Sequence, residues 1–386
     1  MTRDNETWVQ NILVRQYGIE AFMPEVIGSI LENGCKLADL NRVIGRTRGL
    51  RSFPKAWRMV AGQQEQFAKE AEEKGHLETA AMLYHRAAMY YGKAQLYFHQ
   101  DSEKKLSMHA DLVRCHEKVC QYVPYRMERV VLPFEDKNIY GVLHLPNIEG
   151  PVPAILLVPG MDMIKEDKPN PFENHYLQRG MAVLVMDGPG QGETRAKGLK
   201  VTLDNYQKAG SKMLDYLTSL PEVDSEKIGL LGISMGSYWG PLIAAHDSRI
   251  KAVVGALGAY LEKDISFKSA QPGFRRNYMY MSGIYDEEEF DRMASQMTLA
   301  NVVDQIKIPM LLACGEFDEL CPPEQVEKFF QMLDCPKELW MFEDEFHPMG
   351  GVAPEFYPWA IDWLKDCLTK GVDPKLEKKI FFESRQ

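Results

Sequence analysis

Ser234 is the residue best placed to do chemistry. It lies in Gly232-Ile233-Ser234-Met235-Gly236, between an apolar run at 228–231 and an amphipathic stretch at 237–246. A serine at a strand-to-helix turn is held in a strained backbone conformation with its side chain projecting. Glycines on either side remove the Cβ atoms that would clash. The N–H groups at the start of the following helix face developing negative charge. A serine hydroxyl is a poor nucleophile at neutral pH, so it needs a base, and the base needs an acid to orient it.

On such a turn the acid and then the base follow the serine along the chain. The run at 310–313 continues through Cys314 and Gly315 to Glu316-Phe317-Asp318, after which Pro322-Pro323 opens a helix. Asp318, three residues past the glycine, is the expected acid. Glu316 and Glu319 are its rivals, and Glu262 or Asp264, after the preceding strand, is the alternative placement. The run at 338–342 leads to His347, followed by Pro348-Met349-Gly350-Gly351. Of nine histidines, His347 alone follows the last expected strand with a glycine-rich loop to position it. Five others (His76, His85, His99, His109 and His116) lie in a helical region, where a satisfied or solvated imidazole is the default. His144, His175 and His246 fall on a strand and two helices without an expected acid partner.

An oxyanion formed at Ser234 needs donors. One is the N–H of Met235; the other is the N–H of Met161, in Val158-Pro159-Gly160-Met161-Asp162 after the run at 154–158. Each such donor is worth roughly 3 kcal/mol of transition-state stabilisation. Asp187-Gly188-Pro189-Gly190-Gln191-Gly192-Glu193 resembles a phosphate loop, but it lacks the Gly-Lys-Ser/Thr ending and opens no immediate helix. It reads as a turn at the rim of the site. Tyr238 and Trp239, just past the nucleophile, and Tyr280 are candidate pocket-lining residues, with core packing as the competing role.

The elements that must carry these residues follow from periodicity. Runs at 154–158, 182–186, 228–231, 252–256, 310–313 and 338–342 are almost wholly apolar and alternate with helical patterns at 172–178, 203–220, 237–246, 324–333 and 358–368. Strands apolar on both faces belong to a parallel sheet covered by helices. With a hairpin-like pair at 129–134 and 139–145, they describe an eight-stranded, mostly parallel sheet, the core of an α/β-hydrolase. The alternation stops between 257 and 300, where aromatic residues and methionines gather, Tyr260 and Tyr280 among them. This stretch reads as a lid insertion around 258–300. Asp286 is expected to cap a helix opened by the glutamates that follow it.

Before residue 125 glycine is sparse and apolar positions recur at three- and four-residue steps, as in Leu77, Ala80, Ala81, Tyr84, Ala87, Ala88 and Tyr91. No clean 34-residue period appears. Residues 1–125 are therefore a helical module and 126–386 the catalytic domain.

Composition excludes several classes. The 386 residues carry 45 Lys+Arg against 55 Asp+Glu, a net charge of −10, which disfavours nucleic acid and anionic membrane surfaces as partners. The densest basic stretch, 42–51, reads as a solvated helix or loop. No apolar run approaches the roughly 20 residues of a bilayer crossing. The N-terminus leads into no secretory h-region. Seven cysteines, an odd number with no CxxC pair, suit reduced thiols in a cytoplasmic chain and offer no zinc site. No cofactor and no metal are expected, and the partner is a small-molecule substrate.

Pro159-Gly160-Met161-Asp162 with Lys165-Glu166, the 187–193 stretch, Gly232-x-Ser234-x-Gly236, the Asp318 loop and His347 occur in order over about 125–370. With the helical module in front, the chain resembles the α/β-hydrolases with an N-terminal helical domain. That group includes 2,6-dihydroxypseudooxynicotine hydrolase, the fermentation-respiration switch protein and fungal heptaketide hydrolases. The resemblance implies hydrolysis of a carbon–carbon bond in a ketone or β-diketone-like, aromatic or polyketide molecule. It also implies a homodimer whose helical domain serves as lid. The triad itself does not distinguish this reaction from a carboxylesterase, and a non-catalytic partner-binding role is the third alternative. Serine at 234 argues against the dehalogenase and epoxide hydrolase chemistry of an aspartate nucleophile.

Overall fold

The computed structural model describes residues 6–18, 24–258, 261–269 and 272–384. Part of the 258–300 stretch, including Tyr260, lies outside the described residues. Two compact units emerge: Met1–Arg129 with Glu166–Asn174, and Val130–Lys165 with His175–Gln386.

Among the described residues the first unit contains six α-helices: α1 Glu6–Tyr17, α2 Pro24–Glu32, α3 Leu37–Arg46, α4 Phe53–Glu73, α5 Leu77–Gln95 and α6 Glu103–Tyr122. The alanines of α5 are fully buried, which lets its backbone pack closely against its neighbours. Ser102 caps α6 by accepting from the Lys105 N–H at 3.3 Å. The 166–174 segment joins this unit through local contacts: Lys93 Nζ pairs with Asp167 at 3.3 Å, and the Tyr125 hydroxyl donates to the Pro171 carbonyl at 3.2 Å.

The expected strands are present as β1 Arg126–Phe134, β2 Lys137–Leu145, β3 Val152–Val158, β4 Ala182–Asp187, β5 Val223–Ile233, β6 Ile250–Ala256, β7 Met310–Gly315 and β8 Lys337–Phe342. A ninth, β9 Glu377–Phe382, extends the sheet beyond the expected eight. Its first half is Glu-Lys-Lys, without the apolar pattern of the other strands. It is an edge strand, where charge is tolerated and blocks further pairing. Phe382 anchors it, stacked on Phe342 with ring centroids 4.7 Å apart.

The order is β1-β2-β4-β3-β5-β6-β7-β8-β9, with β2 antiparallel to β4 and β3 through β9 parallel. This is the α/β-hydrolase fold. Helices α7 His175–Gln178, α8 Gly192–Ala196, α9 Asn205–Ser219, α10 Gly236–His246, α11 Lys263–Ser269, α12 Pro272–Ser282, α13 Glu287–Ala294, α14 Pro323–Met332 and α15 Ala353–Thr369 complete it. One face packs against α9, α10 and α14, and the other against α7 and α15. The insertion α11–α13 buries Phe267, Tyr278, Met279, Met281 and Phe290 in the first of these cores. Asp286 caps α13 as expected, accepting from the Glu289 N–H at 2.9 Å.

The strand order brings the site together. From β3 the chain steps to β4, then crosses back over β3 to β5, so the direction of winding switches between β3 and β5. Loops at the carboxyl ends of strands flanking such a switch diverge and leave a crevice. Val158 and Gly232 are register partners there, as are Gly315 and Phe342 on β7 and β8. Met161 and Ser234 therefore follow adjacent strands, and so do Asp318 and His347.

Candidate active site

Ser234 has φ +53°, the strain expected of a projecting turn residue. The turn closes because its glycines have no side chains. A Cβ on Gly232 would lie 2.1 Å from the Gly236 carbonyl oxygen, and one on Gly236 would lie 2.1 Å from the Val158 oxygen. Ser234 N–H donates to the Ala256 carbonyl of β6 at 2.8 Å, and the Ser237 hydroxyl donates to the Ser234 carbonyl at 2.6 Å. The backbone is clamped on both sides while the side chain stays available.

That side chain meets His347. Ser234 Oγ and His347 Nε2 are 2.8 Å apart, and His347 Nδ1 and Asp318 Oδ2 are 2.9 Å apart. The other carboxylate oxygen, Asp318 Oδ1, accepts from the N–H groups of Leu320 at 2.9 Å and Cys321 at 2.7 Å. These bonds orient the acid so that Oδ2 faces the imidazole. The Asp318 side chain is fully buried, and Nδ1–H donation to it leaves Nε2 as acceptor for the serine proton. Burial disfavours the imidazolium, but the charge and hydrogen bond of Asp318, assisted by Asp162, override it. The net displacement of the His347 pKa is upward, with Lys263 opposing.

Three of the four rival acids have partners elsewhere. Glu316 Oε2 accepts from the Asp344 N–H at 3.1 Å, Asp264 pairs with Lys268 at 2.6 Å, and Glu262 lies 4.0 Å from Lys328. Glu345 shapes the histidine loop: its carbonyl accepts from the Phe317 N–H at 2.9 Å and its carboxylate from the Gly351 N–H at 3.2 Å.

Met161 and Met235 are both buried. Met235 directly follows Ser234 and precedes α10. Met161 follows Gly160, where a Cβ would lie 3.2 Å from the Ser234 Cβ. The Met161 carbonyl accepts from Asn277 Nδ2 at 3.3 Å, so α12 braces this loop.

The 187–193 stretch departs from its expected form. Gly192–Ala196 is a short helix, and the turn is buried rather than lying at the rim, because it surrounds a sealed cation. Lys165 Nζ lies 3.2 Å from Asp187 and 3.1 Å from Glu193. The Lys165 and Glu193 N–H groups each donate to Asp187 at 2.8 Å. Asp187 thus ties the loop after β3 to the loop after β4.

Of the aromatic candidates, Trp239 stacks on Tyr206 at 3.9 Å with planes 4° apart, and Tyr238 is buried in the same core. The Tyr280 ring lies under the Arg195 guanidinium at 4.2 Å. Sequence reasoning missed Lys263, a buried amine with Nζ 5.2 and 5.0 Å from the Phe267 and Phe274 ring centroids. Its pKa is pushed down to about 7 by burial, against the pull of Cys321 and Asp318. Only its neighbourhood in space marks it. Among the described residues no group of three or more His, Cys, Asp or Glu could hold a metal ion, and no helix is long and apolar enough to cross a membrane.

A family model described as esterase FrsA-like matches residues 38–301. The 2,6-dihydropseudooxynicotine hydrolase of Paenarthrobacter nicotinovorans is 27% identical over 349 residues, covering 89% of this chain and 92% of its own. The 20-hydroxy-prefusarin hydrolase of Gibberella moniliformis is 28% identical over 290 residues, covering 72% of this chain and 68% of its own. Among solved structures, a 2,6-dihydroxy-pseudo-oxynicotine hydrolase matches with TM-score 0.81 at 26% identity, covering 91% of this chain and 99% of that one.

Proposed function

The chain belongs to the FrsA-like esterase family and is a hydrolase, and from that premise we propose that Ser234, His347 and Asp318 are its catalytic triad, acting on a ketone or β-diketone-like small molecule. The observation that carries this reading is the continuous relay of 2.8 and 2.9 Å from hydroxyl to imidazole to carboxylate.

His347 Nε2 takes the Ser234 proton as Oγ bonds to the substrate carbonyl carbon, and the carbonyl π pair moves to oxygen. The N–H groups of Met161 and Met235 stabilise that oxyanion. When the pair returns, the bond to the leaving group breaks with its electrons, and the imidazolium protonates the departing atom. Water then attacks the acyl-serine and gives a proton to His347. The second tetrahedral adduct expels Oγ, which takes that proton back, and a carboxylic acid leaves.

For carbon–carbon cleavage the departing carbanion must be delocalised, as an enolate or a phenol ring allows. The motif resemblance and the named hydrolase relatives support this reaction class. The esterase description of the matching family favours a second reading, hydrolysis of small-molecule esters with an alkoxide leaving group. Tyr238, Trp239 and Tyr280 are the proposed pocket residues, the helical unit the proposed lid and dimerisation domain, and the protein a cytoplasmic homodimer.

Turnover of β-diketones and acyl phenols, set against p-nitrophenyl esters, decides between the two reactions: comparable rates on simple esters would overturn the carbon–carbon assignment. A fluorophosphonate probe should label Ser234 stoichiometrically. Labelling that survives Ser234→Ala would overturn the nucleophile, and a biological effect unchanged in that variant would restore the partner-binding alternative.

A further inference from the structure

We propose that Gln191 is a positioning residue for the oxyanion donor: its side-chain amide holds the Gly160–Met161 peptide so that the Met161 N–H faces the carbonyl bound at Ser234. This assignment rests on the hydrolase reading above and adds to it the group that orients one of the two donors.

Gln191 Nε2 donates to the Gly160 carbonyl at 2.7 Å and, at longer range, to the Pro159 carbonyl at 3.4 Å. The Gly160 C=O and the Met161 N–H belong to one peptide unit. Among the described residues the cis bonds are Lys168-Pro169 and His347-Pro348, so this unit is trans. In a trans peptide the C=O and N–H leave opposite edges of a rigid plane. Pinning the carbonyl on the Gln191 side therefore turns the N–H the other way, while Gly160 itself lies against Ser234. A flipped peptide would present an acceptor where a donor is required. A hydrogen bond to the carbonyl also polarises the unit and strengthens its N–H as a donor.

Gln191 is itself held in one orientation. Its Oε1 accepts from the Gly188 N–H at 3.2 Å and from the Tyr206 hydroxyl, which leaves Nε2 as the donor toward Gly160. Tyr206 is in turn stacked on Trp239 of the nucleophile helix. Gln191 is only 2% exposed, so no bulk water stands ready to replace a lost donor. Among the described residues the Met163 N–H, at 3.2 Å from the same carbonyl, is the other donor to it, and it comes from the loop's own backbone. The sealed Lys165–Asp187–Glu193 cluster ties the Gln191 turn to the loop after β3.

The test uses the intact protein and a fluorophosphonate probe, whose phosphonyl oxygen occupies the oxyanion position. Gln191→Met and the isosteric Gln191→Glu both remove the donor. In each, the labelling rate at saturating probe should fall on the order of a hundredfold. The half-saturating probe concentration should move by less than about threefold, because the lost interaction belongs to the transition state. Tyr206→Phe, which leaves Gln191 in place but frees one side of its Oε1, should slow labelling roughly tenfold.

A folded Gln191→Met variant that labels at the wild-type rate overturns the proposal, as does one in which only the half-saturating concentration moves. Should neither Gln191 variant fold, Tyr206→Phe decides, and an unchanged rate overturns it. A wild-type protein not labelled at Ser234 would overturn the hydrolase reading and this assignment with it. Normal wild-type labelling with unaffected variants removes this assignment alone.

Discussion

In the helical unit, Glu65 of α4 is buried between partners that are not: Arg114 of α6 at 2.5 Å and Lys69 at 2.7 Å, whose side chains are 47% and 49% exposed. In the α/β unit, Lys165 and Asp187 are both fully sealed from water, with Glu193 beside them. The same chemistry, a carboxylate facing a cation, serves different ends. Around Glu65 water still solvates the cations, and the pair joins helices at modest net gain. Around Lys165 no solvent compensates an error, so the cluster tolerates one geometry, and backbone N–H groups are part of it. Sealed charge costs desolvation but specifies a loop position. Asp318, also fully buried, belongs to this second kind.

Substitutions at the two kinds of charge should therefore differ in size. Asp318→Asn would sharpen the contrast most: turnover should fall about 10⁴-fold, through loss of the imidazole orientation, while the chain remains folded. A fall of less than tenfold in steady-state kinetics would show that the sealed carboxylate is dispensable. Lys165→Met leaves two buried carboxylates facing each other and should destabilise by about 3–5 kcal/mol in urea unfolding. Glu65→Gln, which retains an acceptor for the Tyr91 hydroxyl, should cost about 1 kcal/mol. Equal losses at 165 and 65 would erase the distinction.

Acid titration gives smaller, signed effects. Burial pushes the Glu65 carboxyl up, but Arg114, Lys69 and Tyr91 hold it at about 2. A folded-state value below the unfolded one stabilises above the ordinary carboxylate range. That contribution disappears as pH falls through about 2. Stability curves of wild type and Glu65→Gln should therefore converge at low pH. His347 moves the other way. As the proposed base it can work only when neutral, and its pKa is raised, so turnover should fall off on the acid side at a pH above the ordinary histidine value of about 6.5. A pH–rate profile with its acid limb below that value would contradict the Asp318–His347 coupling.

The eight apolar or alternating runs were legible because a strand buried on both faces has few ways to be written. β9 was not, since an edge strand with three charged residues looks like a tail until Phe382 is seen stacked on Phe342. The short helix at Gly192–Ala196 was hidden by its glycine-rich start: the N-cap residue makes no side-chain cap bond, and the Glu193 N–H donates to Asp187 instead. The juxtaposition of Ser234, Asp318 and His347 was readable because each follows a recognisable strand in a set order. Gln191 and Lys263 were not: nothing local distinguishes a glutamine that orients a peptide, or a lysine enclosed by rings, from one in solvent.

By itself, then, the chain of residues determined which strands form, which turn strains its serine, and which loops end in an acid and an imidazole. These are short-range consequences of periodicity, glycine placement and chain order. Tertiary structure alone decided that Asp318 turns Oδ2 toward His347, that Asp187 encloses Lys165, and that Gln191 meets the Gly160 carbonyl. Those contacts join residues 22 to 31 positions apart or on separate strands. Their energies depend on burial, which no local pattern encodes.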